Sequence, residues 1–257
     1  PCAFDIETSR VCVDADDNPH TLMYIWQCQL GLDITIIGRT WDEWLNFTGA
    51  ISDYLQANSG PQGDWYLCMY VHNLAHEFQY LSGVLDFGPG DVFASKPRRV
   101  LKCDNRAIEY RCSMRHSNLS LDAWGKQLGA PHAKLTGALD YSKVRYPWTS
   151  LTSTELAYCI NDVRCIVECL LIEMNRDGDD LYTLPLTRTG YVRRMAQEAM
   201  YKWGIKRVKR LLPSWDLYQM LREAFRGGDT HANRYYVGLH LENVGSVDMS
   251  SAYPAVQ

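Results

Sequence analysis

Long apolar runs are missing from this chain. No stretch approaches the ~18 consecutive apolar residues of a membrane-spanning helix, and no charged-then-apolar leader marks secretion. The sequence therefore reads as a soluble, intracellular type with no membrane partner. Paired cysteines are missing too: the nine cysteines include no Cys-x-x-Cys. Cys165 and Cys169 share a helical face, but no nearby His or second pair completes a zinc site, so the set reads as reduced core thiols in a reducing compartment. Repeats and low-complexity segments are absent, which excludes repeat architectures and tracts that cannot pack.

Net positive charge is missing as well, and −4 overall runs against nucleic-acid binding, because phosphate contacts want Lys and Arg. Its distribution reverses the inference. Between Arg188 and Arg226 ten basic residues (Arg188, Arg193, Arg194, Lys202, Lys206, Arg207, Lys209, Arg210, Arg222, Arg226) face only Glu198, Asp216 and Glu223, a local +7 that leaves −11 for the remainder. With Tyr191, Tyr201, Trp203 and Trp215 interleaved, such a helical segment can track a backbone and stack bases. Taken alone, it also fits a solvated helix pair joining two domains.

What the chain does have is carboxylates recurring in four places. In Phe4-Asp5-Ile6-Glu7-Thr8, strand periodicity sets Cys2, Phe4 and Ile6 on one face and Asp5 and Glu7 on the other. Two like charges on one face repel, a cost that a hard cation with oxygen ligands, Mg²⁺ or Mn²⁺, removes; an isolated Asp-x-Glu is otherwise a solvated strand edge. Next, the apolar run Trp65 to Val71 reads as a buried strand leading into a helix over Leu74 to Leu81. Asn73 is placed to cap that helix, and Glu77 lies one turn in on the same side. A capping box, Thr152-x-x-Glu155, opens a helix to Asn175 with Leu156, Ile160, Val163, Val167, Leu170 and Met174 on a buried stripe and Asn161, Arg164 and Glu168 facing water. Tyr158 and Asp162 share a further stripe that is otherwise apolar, where an Asp is costly unless it is paired or binds metal. The fourth place is Asp248-Met249-Ser250-Ser251-Ala252-Tyr253-Pro254.

The order Asp-x-Glu, Asn-Leu-x-x-acid, Tyr-x-x-x-Asp resembles the three motifs of DEDD-type 3′-to-5′ exonucleases, and Asp-x-x-Ser-x-Tyr-Pro resembles motif A of family B DNA polymerases. Phe225-Arg226-Gly227-Gly228 is similar to the Tyr-x-Gly-Gly motif joining exonuclease and polymerase domains in the protein-primed enzymes of bacteriophages and linear plasmids. Five ordered motifs thus span nearly the whole chain. The resemblance implies that Asp5, Glu7 and Asp162 ligate one metal, that Asp5 and Glu77 hold a second, and that Tyr158 orients the attacking water. It implies that Thr8, Asn73, Ser117 and Tyr141 hold a single-stranded 3′ end, that Phe225, Gly227 and Gly228 bind the template or switching strand, that Asp248 is the first polymerase metal ligand and that Tyr253 is the steric gate against ribonucleotides. Two departures stand out. Glu77 occupies a position where the family commonly has Asp, and the family's catalytic Lys falls on Thr136, with Lys134 two residues away.

Strands around Met23 to Leu30, Asp33 to Ile37, Trp65 to Val71, Val100 to Cys103 and Tyr110 to Arg115 alternate with helices over Trp41 to Leu55, Leu74 to Leu81, Leu121 to Leu128 and Ser153 to Asn175. With 46% hydrophobic residues this predicts an α/β layer architecture with a substantial core, ribonuclease H-like by the resemblance. The expected organisation is an exonuclease domain over 1–187, a basic helical linker with the Gly-Gly motif over 188–235, and the start of a polymerase palm over 236–257 with a first strand from Val244 to Asp248. Later polymerase motifs do not follow, so the expectation is an excerpt of a DNA-directed DNA polymerase competent in proofreading but not in primer extension. Its partners would be the single-stranded DNA 3′ end, primer-template DNA and a terminal priming protein. Two alternatives are a stand-alone DEDD exonuclease acting on DNA or RNA, and a nucleic-acid-binding module whose nuclease site has decayed.

Overall fold

In a computed structural model that describes residues 1–13, 19–61, 63–132, 135, 139–224 and 233–245, the alternation at the start of the chain becomes β1 (Cys2–Val13), paired antiparallel with β2 (Pro19–Leu30). Then come β3 (Ile34–Gly38), α1 (Trp41–Asn58), β4 (Leu67–Val71), α2 (Leu74–Leu81), β5 (Val92–Ala94), β6 (Val100–Asn105) and β7 (Ile108–Cys112). The helices α3 (Ser113–Ser117), α4 (Leu121–Leu128), α5 (Ser153–Asp177), α6 (Arg188–Trp203), α7 (Ile205–Arg210) and α8 (Trp215–Ala224) complete the described elements. All seven strands join one sheet in the order β3-β2-β1-β4-β7-β6-β5. β1, β4 and β7 run parallel and the outer strands antiparallel.

Period-2 side-chain placement builds two cores from the central strands. Phe4 and Ile6 of β1 and Met69 and Val71 of β4 face α1 and α2, where they pack with Trp26, Trp44, Leu74 and Leu81. Ala3 and Tyr70 point the other way, onto Leu121 and Trp124 of α4 and Val163 and Ile166 of α5. Helices on both faces make β4 a two-sided buried strand, which is why its run is continuously apolar. At Gly38 a Cβ would collide with the Trp26 indole, so glycine lets β3 close against β2 there.

Several expectations are corrected. Trp65 and Tyr66 precede β4 and are more than half exposed, so the apolar run is longer than the strand. Met114 and Arg115 belong to α3 rather than to a strand. Glu168 is buried, not solvent-facing: α5 is covered by the sheet, by α4 and by the 129–132 turn, whose His132 amide donates to Glu168 Oε2 at 2.8 Å. Asn73 does stand at the N-cap of α2, yet its side chain makes no cap hydrogen bond, because its backbone is left-handed (φ 74, ψ 48).

The chain divides into two compact units, 1–198 and 199–257. Along α6, α7 and α8 no residue is buried. Two of the basic residues counted above are engaged by carboxylates: Arg188 lies 3.6 Å from Glu173, and Arg194 lies 2.5 Å from Asp179. Tyr191 packs between these guanidiniums instead of being displayed. In the second unit Trp203 and Trp215 are 70% and 67% exposed. Val244 and Gly245 lie in no strand among the described residues.

Candidate metal centre

Alternation along β1 sends Asp5 and Glu7 toward α5, and α5 presents Asp162 to them. One carboxylate oxygen from each of the three lies within 4.8 Å of the others. Glu7 and Asp162 are only 7% and 4% exposed, so their mutual repulsion is weakly screened. Gln27, opposite Asp5 on β2, donates through Nε2 to Asp5 Oδ2 at 2.9 Å and fixes that carboxylate. The oxygen-only donor set fits a hard divalent cation.

The concentrated negative charge is felt by its neighbours. Burial first, then Glu7, Asp5 and Asp162, push the Cys159 thiol above its ordinary range. The Tyr158 phenol is likewise pushed up by burial, by its hydrogen bond with Tyr141 and by Asp162 and Glu7, so it stays a protonated donor. The Tyr141 and Tyr158 hydroxyls are 2.9 Å apart. A cavity of about 300 Å³ is lined by Asp5, Ile6, Glu7, Thr8, His72, His76, Leu121, Tyr141, Tyr158, Asp162 and Ile166. Among the described residues, no Lys or Arg lines it.

Local sequence explains the placement. The capping box of α5 is present, with Glu155 N donating to Thr152 Oγ1 at 3.2 Å and Thr152 N to Glu155 Oε2 at 2.8 Å. Glu155 also receives Arg145, whose Nη2 donates to Oε1 at 2.5 Å. The Thr152 amide and Arg145 hold the Glu155 carboxyl down at about 2. Arg145 is 2% exposed. It donates further to the carbonyls of Asp140 and Lys143, and its amide to Ser9 Oγ, so one guanidinium secures the loop carrying Tyr141. On the sheet, the β1–β2 register shifts between Glu7 and Thr8, pairing Glu7 with Ile25 and Thr8 with Met23. The bulge at Tyr24 lets consecutive Tyr24 and Ile25 both pack with Tyr158 and Cys159.

Glu77 stands apart. It is 3% exposed in the first turn of α2, outside the three-carboxylate cluster, and its Oε2 accepts no hydrogen bond. Burial foremost, with Glu7 adding repulsion, raises its carboxyl to about 8. Ser117 is buried at the end of α3, accepting from Leu119 N at 3.3 Å, and does not line the cavity. Thr8 and Tyr141 do. Lys134, Thr136, Phe225, Gly227, Gly228, Asp248 and Tyr253 lie outside the described residues. Sequence reasoning missed Gln27, Arg145 and the lining roles of His72 and His76. Gln27 and Gln29, alternating within an apolar strand, are a signal for the first; Arg145 leaves none.

A mixed sheet sandwiched by helices, with three carboxylates converging where β1 meets α5, defines an α/β protein carrying a site suited to a divalent metal. Comparison with solved structures finds the same fold in phi29 DNA polymerase complexed with primer-template DNA, at TM-score 0.65 and 19% identity, over 91% of this chain and 41% of that one. The phi29 DNA polymerase complexed with single-stranded DNA matches at TM-score 0.62 and 18% identity, over the same shares. This chain therefore spans about two fifths of the length of those polymerases. Comparison with protein-family models and with curated proteins gives no match. Among the described residues, no helix is long and apolar enough to cross a membrane.

Proposed function

We propose that this chain carries the 3′-to-5′ proofreading exonuclease of a DNA-directed DNA polymerase of the family B, protein-primed type. The single observation that carries the reading is the convergence of Asp5, Glu7 and Asp162 at one point, matching the order of the exonuclease motifs. A sheet whose first three strands form an antiparallel meander, with β4 and β7 parallel to β1, supports a ribonuclease H-like domain over about 1–187. The basic linker over 188–235 and the palm start over 236–257 with Asp248 and Tyr253 belong to the same reading.

Asp5, Glu7 and Asp162 would hold one Mg²⁺ or Mn²⁺, and Asp5 with Glu77 the second. When bound, the ions activate water and stabilise the leaving 3′-oxygen. Tyr158, kept protonated and braced by Tyr141, orients the water as a donor. Thr8 and Tyr141 border the cavity where a strand end would sit, and Asn73, freed from capping, is available to that end. A nucleic-acid-binding module with a decayed nuclease site is favoured by one observation, the position of Glu77 outside the cluster.

Incubating the chain with a 5′-labelled single-stranded oligonucleotide and Mg²⁺ or Mn²⁺ tests this. Stepwise shortening from the 3′ end is expected, with Asp162→Ala at least ~100-fold slower because it removes a metal ligand. Wild-type-like hydrolysis by Asp162→Ala refutes the assignment, and inert wild-type protein that still binds DNA favours the decayed module.

A further inference from the structure

The loop that carries Tyr141 into the cavity continues into Tyr146-Pro147-Trp148-Thr149, a turn closed by Thr149 N donating to the Tyr146 carbonyl at 2.9 Å. Proline at the second position suits such a turn and stiffens it. The Tyr146 amide donates to Thr149 Oγ1 at 2.9 Å, so the turn is pinned twice. It is pinned again from outside: Arg39 donates from Nη2 to the carbonyls of Tyr146 and Thr149 and from Nε to the carbonyl of Tyr24, the bulge residue beside the carboxylate cluster. One guanidinium thereby ties this turn to the strand that flanks the site.

What the turn displays is a pair of parallel rings. Tyr146 and Trp148 stack with centroids 4.9 Å apart and planes 3° from parallel. Trp148 is 78% exposed, so Tyr146 covers one face of the indole and the other meets solvent. A rigid indole left open gains nothing for the fold, yet its geometry suits a flat ligand that can slide onto the stack. Lys143, in the same loop, is half-exposed and lies 3.9 Å from the Glu155 carboxylate.

We propose that the Tyr146–Trp148 pair is a stacking platform for one unpaired base of a single strand whose 3′ end lies in the carboxylate cavity. The assignment rests on the nuclease reading for the direction of the strand. Stacking is sequence-tolerant because every base has a π-face, as a strand passing through requires. Tyr141 at the cavity and Trp148 on the turn are seven residues apart in one anchored loop.

The test measures binding of the whole chain to a 5′-labelled oligothymidylate by fluorescence anisotropy in EDTA, where no hydrolysis is needed. Trp148→Ala should weaken affinity about 10-fold, the scale of one base–aromatic stack, and Trp148→Phe should restore most of it. Oligonucleotides with a single abasic position moved stepwise from the 3′ end supply the second arm. At one position the lesion should weaken wild-type binding by a similar factor while adding nothing to the loss in Trp148→Ala. Unchanged affinity of Trp148→Ala, or abasic penalties of equal size in both proteins at every position, overturns the platform. Inert wild-type protein in the Mg²⁺ assay sinks the nuclease reading separately, because the anisotropy result stands without turnover.

Discussion

Glu77→Gln separates the cost of a buried carboxylate from its use. The Glu77 carboxyl is 3% exposed and lifted to about 8 by burial, with Glu7 adding to the shift. Against an ordinary value of 4.5 that difference corresponds to up to ~5 kcal/mol, at about 1.4 kcal/mol per pH unit. The sign follows from proton binding: the folded protein keeps its proton after the unfolded chain has lost one. This contribution is fully present below pH 4.5, declines as pH rises through about 8, and is gone above. Gln carries no charge and escapes the decline. Urea unfolding in EDTA should therefore show the Gln variant gaining on wild type steadily between pH 5 and 8, then holding a constant lead. Saturating Mg²⁺ should narrow that lead above pH 8, because a ligand that binds only the folded state stabilises it by mass action and Glu77 in its proposed role supplies a charge that Gln does not. A pH-independent difference in EDTA would falsify the buried-carboxylate argument. Equal Mg²⁺ stabilisation of both proteins would remove Glu77 from the ligand set.

Arg145→Met removes the buried guanidinium from Glu155, which keeps Thr152 and, at 3.9 Å, Lys143, and should cost about 3 kcal/mol in urea unfolding, with part recovered by pairing it with Glu155→Leu; a loss under 1 kcal/mol refutes the clamp. Replacing Lys206, Arg207, Lys209 and Arg210 with neutral residues should flatten the dependence of log affinity on log salt by up to ~0.7 per lost single-strand phosphate contact. An unchanged slope makes α7 a solvated connector.

Legibility followed the range of the forces. Helix α2 lies over the residues its apolar spacing marks, and α5 begins where Thr152 and Glu155 cap it, because capping and amphipathic periodicity act within a few residues. The same holds for the opposed faces of β1: Phe4 and Ile6 entered one core while Asp5 and Glu7 turned to the other side. Strand ends were less legible. Trp65 and Tyr66 have strand-like character, yet β4 begins pairing only after them, at Leu67, and pairing depends on partners distant in sequence. Asn73 misled as well, since its backbone is left-handed and its side chain makes no cap hydrogen bond.

Local chemistry thus determined which residues could form the site: two carboxylates on one strand face, and a Tyr and an Asp one turn apart on a helix. Bringing Asp162 against Asp5 and Glu7 across more than 150 residues of chain, closing Arg145 onto Glu155, lifting Glu77 out of the cluster and parking Trp148 in solvent were decided by tertiary packing alone. Each depends on which surfaces bury each other, and burial is a property of the assembled layers that no short stretch of sequence encodes.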